Sequence, residues 1–280
     1  MTSATGENGK TGKTGRTREA GKTSETGVTT ALTRTPAGKA VDVYGPPGGG
    51  TAPTVLLWHG MGPDERDIMR PVAEAAAAQG VVVLVPDWRS DAPDRGAAHL
   101  LDSLAFARER AADFGGDPGR LVVAGWSAGA GAAVATALRP DLTGGPRPVA
   151  VVGVAGRYDV PARATGSVPV EDLARGPMED LARDPVAGLA HAAPVPVLLV
   201  HGTEDDQVDV RRSREFAAAL RTHGLPVRLE EPATDHAGVL MSAYDPELGR
   251  LRASSARHAL EGGRATARVL AAAAKGIAVP

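Results

Sequence analysis

The chain has 280 residues, of which 42% are hydrophobic, 3% are aromatic and none is cysteine, and its formal net charge is −2. This composition supplies a sizeable core built from Val, Leu and Ala, and it excludes disulfides, a thiolate nucleophile and a Cys-based metal site. The small net charge provides neither the basic surface that nucleic acid requires nor a polycationic membrane patch, so we expect neither partner.

The first part of the chain, residues 1–38, is predicted to be a disordered tail. Residues 1–30 are rich in Gly, Thr and Lys and have almost no large apolar side chains, so burial does not offset the entropy of ordering them. The N-terminus also lacks the apolar stretch of a secretory signal, and no run of about 20 apolar residues follows it. We therefore expect a cytoplasmic protein without a membrane span.

Residues 39–280 are predicted to form one α/β domain, in which strand and helix patterns alternate. The predicted strands are, in chain order, VDVY (41–44), TVLLWHG (54–60), VVVLVPDW (81–88), LVVAGW (121–126), VAVVGVAG (149–156), VPVLLVHG (195–202) and VRLEEP (227–232). Helices are predicted between them over 64–80, 94–115, 128–138 and 210–224. Because these strands are continuously apolar, they indicate a mostly parallel sheet with helices on both faces.

One connection in this predicted domain is unusually long. Residues 157–194 are polar and rich in proline, with only weak helical patterns. A connection of this length within a compact domain usually has a function of its own. We therefore predict that it forms a small cap or lid.

Polar residues follow four of the predicted strands. HGMG (59–62) follows the second strand, Ser127 the fourth, HGTEDDQV (201–208) the sixth, and TDH (234–236) the seventh. Ligands gather at the carboxyl ends of parallel strands, so we expect these residues to lie close together. A serine hydroxyl becomes a nucleophile when a histidine takes its proton and a carboxylate orients that histidine. The order serine, aspartate, histidine along the chain is that of the α/β-hydrolases.

The chain resembles the α/β-hydrolase superfamily, and within it the esterase and lipase branch related to hormone-sensitive lipase and the dienelactone-hydrolase-like carboxylesterases. The segments that carry the resemblance are WHGMG (58–62), DFGGDPGRLVVAGWSAGAGAAVA (113–135), APVPVLLVHGTEDDQV (193–208) and TDHAG (234–238). The resemblance implies the α/β-hydrolase fold and hydrolysis of small carboxylic esters through an acyl-enzyme. No His or Asp spacing suits a metal, so we expect no metal and no other cofactor.

The resemblance also implies a role for individual residues. Ser127 corresponds to the nucleophile, His236 to the base and Asp205 to the acid that orients it. The backbone N–H groups of Met61 and Ala128 correspond to the oxyanion hole. Relatives of hormone-sensitive lipase have His-Gly-Gly-Gly where this chain has His-Gly-Met-Gly, and we expect the methionine to narrow the acyl side of the pocket.

The residues leave alternatives open within this triad. Asp206 competes with Asp205 as the acid, and Ser127 has a second interpretation as a helix-capping serine. Three other histidines compete with His236, but none of them follows the last strand; they are His201, His223 and His258.

Three further residues are predicted to contact the substrate. These are Gly60 in the HGMG loop and two tryptophans near strand ends, Trp88 and Trp126. Since the chain has few aromatic residues, both tryptophans have an equally good interpretation as core anchors.

Three functions compete with ester hydrolysis. A thioesterase would use the same triad, and a binding protein with the hydrolase fold would keep the triad with little turnover. A peptidase like the prolyl oligopeptidases is the weakest of the three, because those enzymes carry an additional N-terminal domain that this chain is too short to hold.

Overall fold

The core of the fold is a mostly parallel sheet, seen in a computed structural model that describes residues 22–175 and 194–277. Within those residues it has nine strands: β1 (Lys22–Thr23), β2 (Thr29–Arg34), β3 (Ala40–Gly45), β4 (Ala52–Trp58), β5 (Val82–Pro86), β6 (Gly116–Trp126), β7 (Ala150–Val154), β8 (Val197–Val200) and β9 (Val227–Glu230). Their order across the sheet is β1-β2-β3-β5-β4-β6-β7-β8-β9. The pairs from β5 to β9 are parallel, and the three pairs formed by β1, β2, β3 and β5 are antiparallel. The predicted mostly parallel sheet is confirmed.

Helices cover both faces of this sheet. They are α1 (Arg70–Ala77), α2 (Ala97–Arg110), α3 (Ala128–Leu138), α4 (Pro140–Thr143), α5 (Pro169–Asp172), α6 (Arg211–Thr222) and α7 (Arg257–Lys275). Short 3-10 turns cover Arg66–Met69, Ala111–Phe114 and Gly238–Leu240. The predicted helix over 94–115 begins later, at Ala97, because Arg95 and Gly96 have left-handed φ values of 60° and 92°, which a right-handed helix does not allow.

The central strands are apolar at every position because each face of the sheet has its own core. Val55 and Leu57 of β4 pack with α1 and α7 on one face. Leu56 and Trp58 of the same strand pack with α2, α3 and α6 on the other. All four side chains are 0–1% exposed. Burying a side chain of this size contributes roughly 1.5–3 kcal/mol, so these strands provide much of the stability.

Strands are present earlier in the chain than the sequence predicts. Thr29–Arg34 forms β2, which pairs with β3 from Thr29 opposite Gly45 to Arg34 opposite Ala40. The prediction of a tail to residue 38 is therefore wrong for residues 22–38, and residues 1–21 lie outside the described part. The composition did not indicate a strand here because β2 lies near the edge of the sheet and is only half-buried, so it contains few apolar residues. Threonine nevertheless favours strands, and this propensity supports β2.

Two surface segments complete the description. A hairpin that was not predicted joins β10 (Ser242–Asp245) to β11 (Arg250–Ala253); its strands are short and polar, so they carry little apolar pattern. The predicted cap over 157–194 falls partly outside the described residues and stays a prediction; residues 157–175 form a loop and α5. Within the described ranges, none of the helices is long and apolar enough to cross a membrane.

Candidate active site

Ser127 lies on a sharp turn between β6 and α3. Its φ of 54° and ψ of −117° are unfavourable for a residue with a side chain and cost about 1–3 kcal/mol. Two backbone hydrogen bonds hold the turn, from Ser127 N to Val154 O at 2.8 Å and from Ala130 N to Ser127 O at 3.0 Å. In the described part of the chain its side chain makes no capping hydrogen bond to α3, so the helix-cap interpretation is not supported.

Two glycines allow strand and helix to converge at this turn. A Cβ on Gly129 would lie 2.5 Å from the carbonyl oxygen of His59 and 2.8 Å from that of Trp58. A Cβ on Gly125 would overlap the carbonyl oxygen of Gly129. The glycines on either side of Ser127 are therefore required by close backbone approach between β4, β6 and α3.

The HGMG loop lies directly against the serine turn. A Cβ on Gly60 would lie 2.6 Å from the Trp126 ring and 3.4 Å from Cβ of Ser127. The next residue, Met61, is 56% exposed, and its carbonyl oxygen accepts a hydrogen bond from the Ser90 hydroxyl. The loop that carries one predicted oxyanion donor is thus adjacent to Ser127.

The second predicted oxyanion donor, Ala128, is the first residue of α3. The first amides of a helix have no acceptor within the helix, and the helix dipole favours negative charge at this end. An N–H group at this position is therefore suited to an anionic oxygen.

His59 fixes the shape of the HGMG loop from inside the protein. The side chain is buried; its Nδ1 donates to Gly60 O at 3.0 Å, and its Nε2 accepts from the amides of Trp88 at 3.2 Å and Glu65 at 3.4 Å. Burial lowers the pKa of His59 to about 4, although the Gly60 carbonyl opposes this. The imidazole is therefore neutral at pH 7, which lets Nε2 accept both amides.

Trp88 is a buried core residue behind this loop, and the structure does not place it as the predicted substrate contact. Its side chain is 0% exposed, stacks on the His59 ring at 5.3 Å, and donates from Nε1 to His59 O at 3.2 Å. The indole fills the space under the HGMG loop, so the structure leaves it no surface open to a ligand.

Trp126 connects the serine turn to the histidine loop. Its Nε1 donates to the carbonyl oxygen of His236 at 2.9 Å, and the two rings are 4.8 Å apart. The indole is 7% exposed and also lies against Gly60. The side chain that precedes Ser127 in the chain therefore contacts both His236 and Gly60 of the HGMG loop.

His236 and Asp205 form a buried hydrogen-bonded pair. His236 Nδ1 donates to Asp205 Oδ2 at 2.7 Å, and Oδ1 of the same carboxylate accepts the amides of Gln207 at 3.0 Å and Val208 at 2.8 Å. His201 Nε2 lies 3.2 Å from Oδ2 and 2.8 Å from Val208 O. Burial alone would raise the pKa of Asp205, but the hydrogen bonds from His201, His236 and Val208 lower it well below its usual range. The carboxylate is therefore ionised at neutral pH and can orient His236.

The competing residues are not arranged in this way. Asp206 is exposed, and the carboxylate that accepts the hydrogen bond from His236 is that of Asp205. His223 is exposed at the end of α6, and His258 is exposed with its Nε2 3.8 Å from Asp235.

Two side chains beside the site were not predicted. Arg163 Nη2 lies 2.9 Å from Met61 Sδ, and the half-buried Glu65 carboxylate accepts a hydrogen bond from the Gly62 amide. Burial raises the pKa of Glu65. No sequence signal marks either contact, because Arg163 and Met61 are 102 residues apart and the contact of Glu65 with Gly62 depends on the conformation of the loop. Among the described residues, no group of three or more His, Cys, Asp or Glu side chains is placed to hold a metal ion.

Curated relatives of this chain include two esterases of Mycobacterium tuberculosis (strain ATCC 25618 / H37Rv). Esterase LipC is 34% identical over 172 residues, which cover 54% of this chain and 43% of that protein. Esterase LipQ is 31% identical over 147 residues, which cover 45% of this chain and 35% of that protein. The chain thus spans less than half the length of these relatives.

Solved structures show the same fold. Esterase 2 of Thermogutta terrifontis, phosphorylated by paraoxon, superimposes with a TM-score of 0.63 at 18% identity, covering 91% of this chain and 96% of that chain. At this identity the likeness concerns the fold alone, and it confirms the predicted α/β-hydrolase fold.

The family assignment comes from the sequence match. The model of the Prolyl oligopeptidase family matches residues 71–250, more than half of the chain. The chain belongs to the prolyl oligopeptidase family, within the α/β-hydrolase superfamily.

Proposed function

We propose that this protein is a serine hydrolase that cleaves small carboxylic esters, with Ser127 as nucleophile, His236 as base and Asp205 as the acid that orients the base. The observation that carries the proposal is the 2.7 Å hydrogen bond from His236 Nδ1 to a buried, ionised Asp205. Trp126 supports it, because its indole joins the His236 carbonyl to the turn of Ser127. This arrangement leaves Nε2 of His236 as the atom that exchanges protons with the serine.

The reaction proceeds in two steps, acylation of the serine and hydrolysis of the acyl-serine. Ser127 Oγ attacks the ester carbonyl carbon while His236 Nε2 takes its proton, and the carbonyl oxygen becomes an oxyanion. The bond to the alcohol oxygen then breaks, His236 protonates the leaving alcohol, and an acyl-serine remains. Water attacks the acyl-serine, His236 takes a proton from it and returns a proton to Ser127, and the carboxylic acid leaves.

The backbone amides of Met61 and Ala128 stabilise the oxyanion in this proposal. Gly60 and Ser127 are in close approach, and Ala128 begins α3, so both amides belong to segments that meet at the serine. Loss of one such donor typically costs about 10²–10³-fold in kcat. Gly60 supports the site because a side chain there would displace the Trp126 ring.

The relatives support ester hydrolysis. LipC and LipQ are named as esterases, and the Thermogutta enzyme is phosphorylated by paraoxon. We extend to this chain the expectation that an activated phosphoester labels its nucleophilic serine. This expectation provides a test that does not require the natural substrate.

The decisive experiment compares wild type with Ser127→Ala. Wild type should hydrolyse a short-chain p-nitrophenyl ester, and Ser127→Ala should lose on the order of 10³-fold or more in kcat. A fluorophosphonate should label wild type in a 1:1 ratio and leave Ser127→Ala unlabelled. Ser255→Ala, which removes an exposed serine elsewhere, should match wild type in both measurements. Full activity in Ser127→Ala would refute the mechanism.

The family match favours peptide hydrolysis as a second candidate function, because the same triad chemistry cleaves amides. A prolyl peptide p-nitroanilide, an acyl-CoA and a p-nitrophenyl ester, assayed in parallel, separate a peptidase, a thioesterase and an esterase by kcat/KM. Inertness toward all three and toward the fluorophosphonate would instead indicate a binding protein.

The predicted cytoplasmic location is also a proposal. It is supported by the cysteine-free composition, which needs no oxidising compartment. Cell fractionation with an antibody to the protein tests it, and recovery of the protein outside the cytoplasmic fraction would refute it.

A further inference from the structure

An arginine that has no carboxylate partner within residues 22–175 and 194–277 lies beside the HGMG loop. Arg163 is half-buried, and its Nη2 lies 2.9 Å from Met61 Sδ. Among the described residues it forms no ion pair, and in this it differs from some of the other partly buried arginines. Arg66, for example, pairs with Asp87 at 2.6 Å, and Arg139 pairs with Asp141 at 2.7 Å. A partly buried guanidinium retains unused donors and an uncompensated charge when it contacts only a thioether.

The backbone around Arg163 is held rigidly. Both neighbouring residues, Ala162 and Ala164, are buried, with 4% and 3% of their surface exposed. Two backbone hydrogen bonds close the loop, from Ala162 N to Ser167 O at 2.8 Å and from Gly166 N to Ala162 O at 2.7 Å. The side chain is therefore presented from a fixed base, which reduces the entropy lost when it binds a ligand.

A second arginine adds charge of the same sign. Arg95 is exposed in the loop before α2, and among the described residues it too forms no ion pair. Its φ is 60°, and the next residue, Gly96, packs so closely on the Trp88 ring that a Cβ there would lie 2.5 Å from it. The pKa of Arg163 is lowered mainly by burial and, to a smaller extent, by the positive charge of Arg95. An anion bound at Arg163 would offset the repulsion that the charge of Arg95 exerts on it.

We propose that Arg163, assisted by Arg95, binds a carboxylate of the substrate, so that the preferred esters carry a second, anionic carboxyl group. This inference rests on the proposed ester hydrolysis and names its substrate class. Arg163 contacts the side chain of Met61, and the preceding Gly60 lies against Ser127, so the bound carboxylate would be a short chain away from the reacting ester. The planar guanidinium matches the two oxygens of a carboxylate.

The kinetic test uses pairs of esters that differ only in one charge. Mono-4-nitrophenyl glutarate and its methyl ester place the charge on the acyl side, and 4-carboxyphenyl butanoate and its methyl ester place it on the alcohol side. Wild type should prefer the anionic member of at least one pair. Arg163→Gln should reduce that preference about tenfold, mainly through KM, because the contact binds ground state and transition state alike.

Two further variants make the test specific. Arg163→Lys keeps the charge without the planar fork and should retain part of the preference. Arg157→Gln removes one positive charge from the same loop, from an exposed arginine that pairs with Asp159 at 2.9 Å, and should leave the preference unchanged. An equal loss in Arg157→Gln and Arg163→Gln would show a general effect of net charge and would overturn the inference.

A binding measurement tests the site without turnover. In a Ser127→Ala background, calorimetric titration with monomethyl glutarate should show binding that Arg163→Gln weakens about tenfold. If a neutral ester is cleaved through Ser127 but neither charge preference nor Arg163-dependent binding is found, the inference fails while the proposed function stands. If no ester is cleaved, the proposed function fails, and the titration alone decides whether the carboxylate site exists.

Discussion

The buried His59 predicts a loss of stability in mild acid. Its pKa is about 4 in the folded protein and 6.5 in the absence of burial. Between these values the unfolded chain takes up a proton that the folded protein does not, so the free energy of unfolding falls as pH decreases from 6.5 toward 4. At about 1.4 kcal/mol for each pKa unit, the full effect amounts to roughly 3 kcal/mol. The contribution of His59 to the pH dependence fades over about one pH unit above 6.5.

The structural cause is that protonation converts an acceptor into a donor. His59 Nε2 accepts the amides of Trp88 and Glu65, and a proton on that nitrogen would face two N–H groups in a buried site. Both hydrogen bonds would be lost, and the HGMG loop would lose its attachment to the segment that follows β5. The same acid range should therefore weaken the loop next to Ser127.

Urea unfolding of wild type and His59→Asn between pH 7.5 and 4.5 measures this effect. Asparagine keeps a donor and an acceptor but does not titrate, so the difference between the two stabilities isolates His59. Burial raises the pKa values of Glu65 and Asp87, which oppose the trend, but both groups are present in both proteins. Wild type should lose roughly 2–3 kcal/mol more than the variant between pH 7.5 and 4.5. Parallel stability curves would refute the argument.

Other substitutions around the site give separate expectations. Asp205→Asn should lower kcat on the order of 10³- to 10⁴-fold on a p-nitrophenyl ester, whereas the kcat of Asp206→Asn should stay near that of wild type. A larger loss of kcat in Asp206→Asn than in Asp205→Asn would show that Asp205 is not the acid of the triad. Trp126→Phe removes the N–H group that donates to the His236 carbonyl, so the free energy of unfolding should fall by about 1–2 kcal/mol. The kcat should fall as well, and an unchanged kcat would contradict a role of Trp126 in positioning His236. Gly129→Ala should destabilise by about 1–3 kcal/mol in urea despite the better helix propensity of alanine, because its Cβ would meet a carbonyl oxygen at 2.5 Å.

Local patterns were sufficient to predict the central strands and helices. The apolar run LVVAGW predicts the strand that ends before Ser127, and the small residues after it predict α3 with its observed bounds, Ala128–Leu138. Patterns failed where an element buries little surface. The threonine-rich β2 and the polar β10–β11 hairpin are held by backbone pairing to their neighbours, which leaves almost no trace in hydropathy.

The local sequence also placed the candidate residues at strand ends, because the position and length of a strand follow from the apolar pattern of a short segment. The order of Ser127, Asp205 and His236 followed from the sequence alone. Only the tertiary structure decided which of the two adjacent aspartates contacts the histidine, since a rotation of one residue in a loop exchanges them.

The roles of the tryptophans and the position of Arg163 were likewise decided by the tertiary structure. Trp126 and His236 are 110 residues apart, and Arg163 meets Met61 across 102 residues, so no spacing along the chain encodes either contact. Such contacts arise because the parallel sheet brings the carboxyl ends of distant strands to one edge, where the loops pack against one another. Composition and periodicity determine the strands, and the packing of the loops determines which side chains from distant strand ends contact one another.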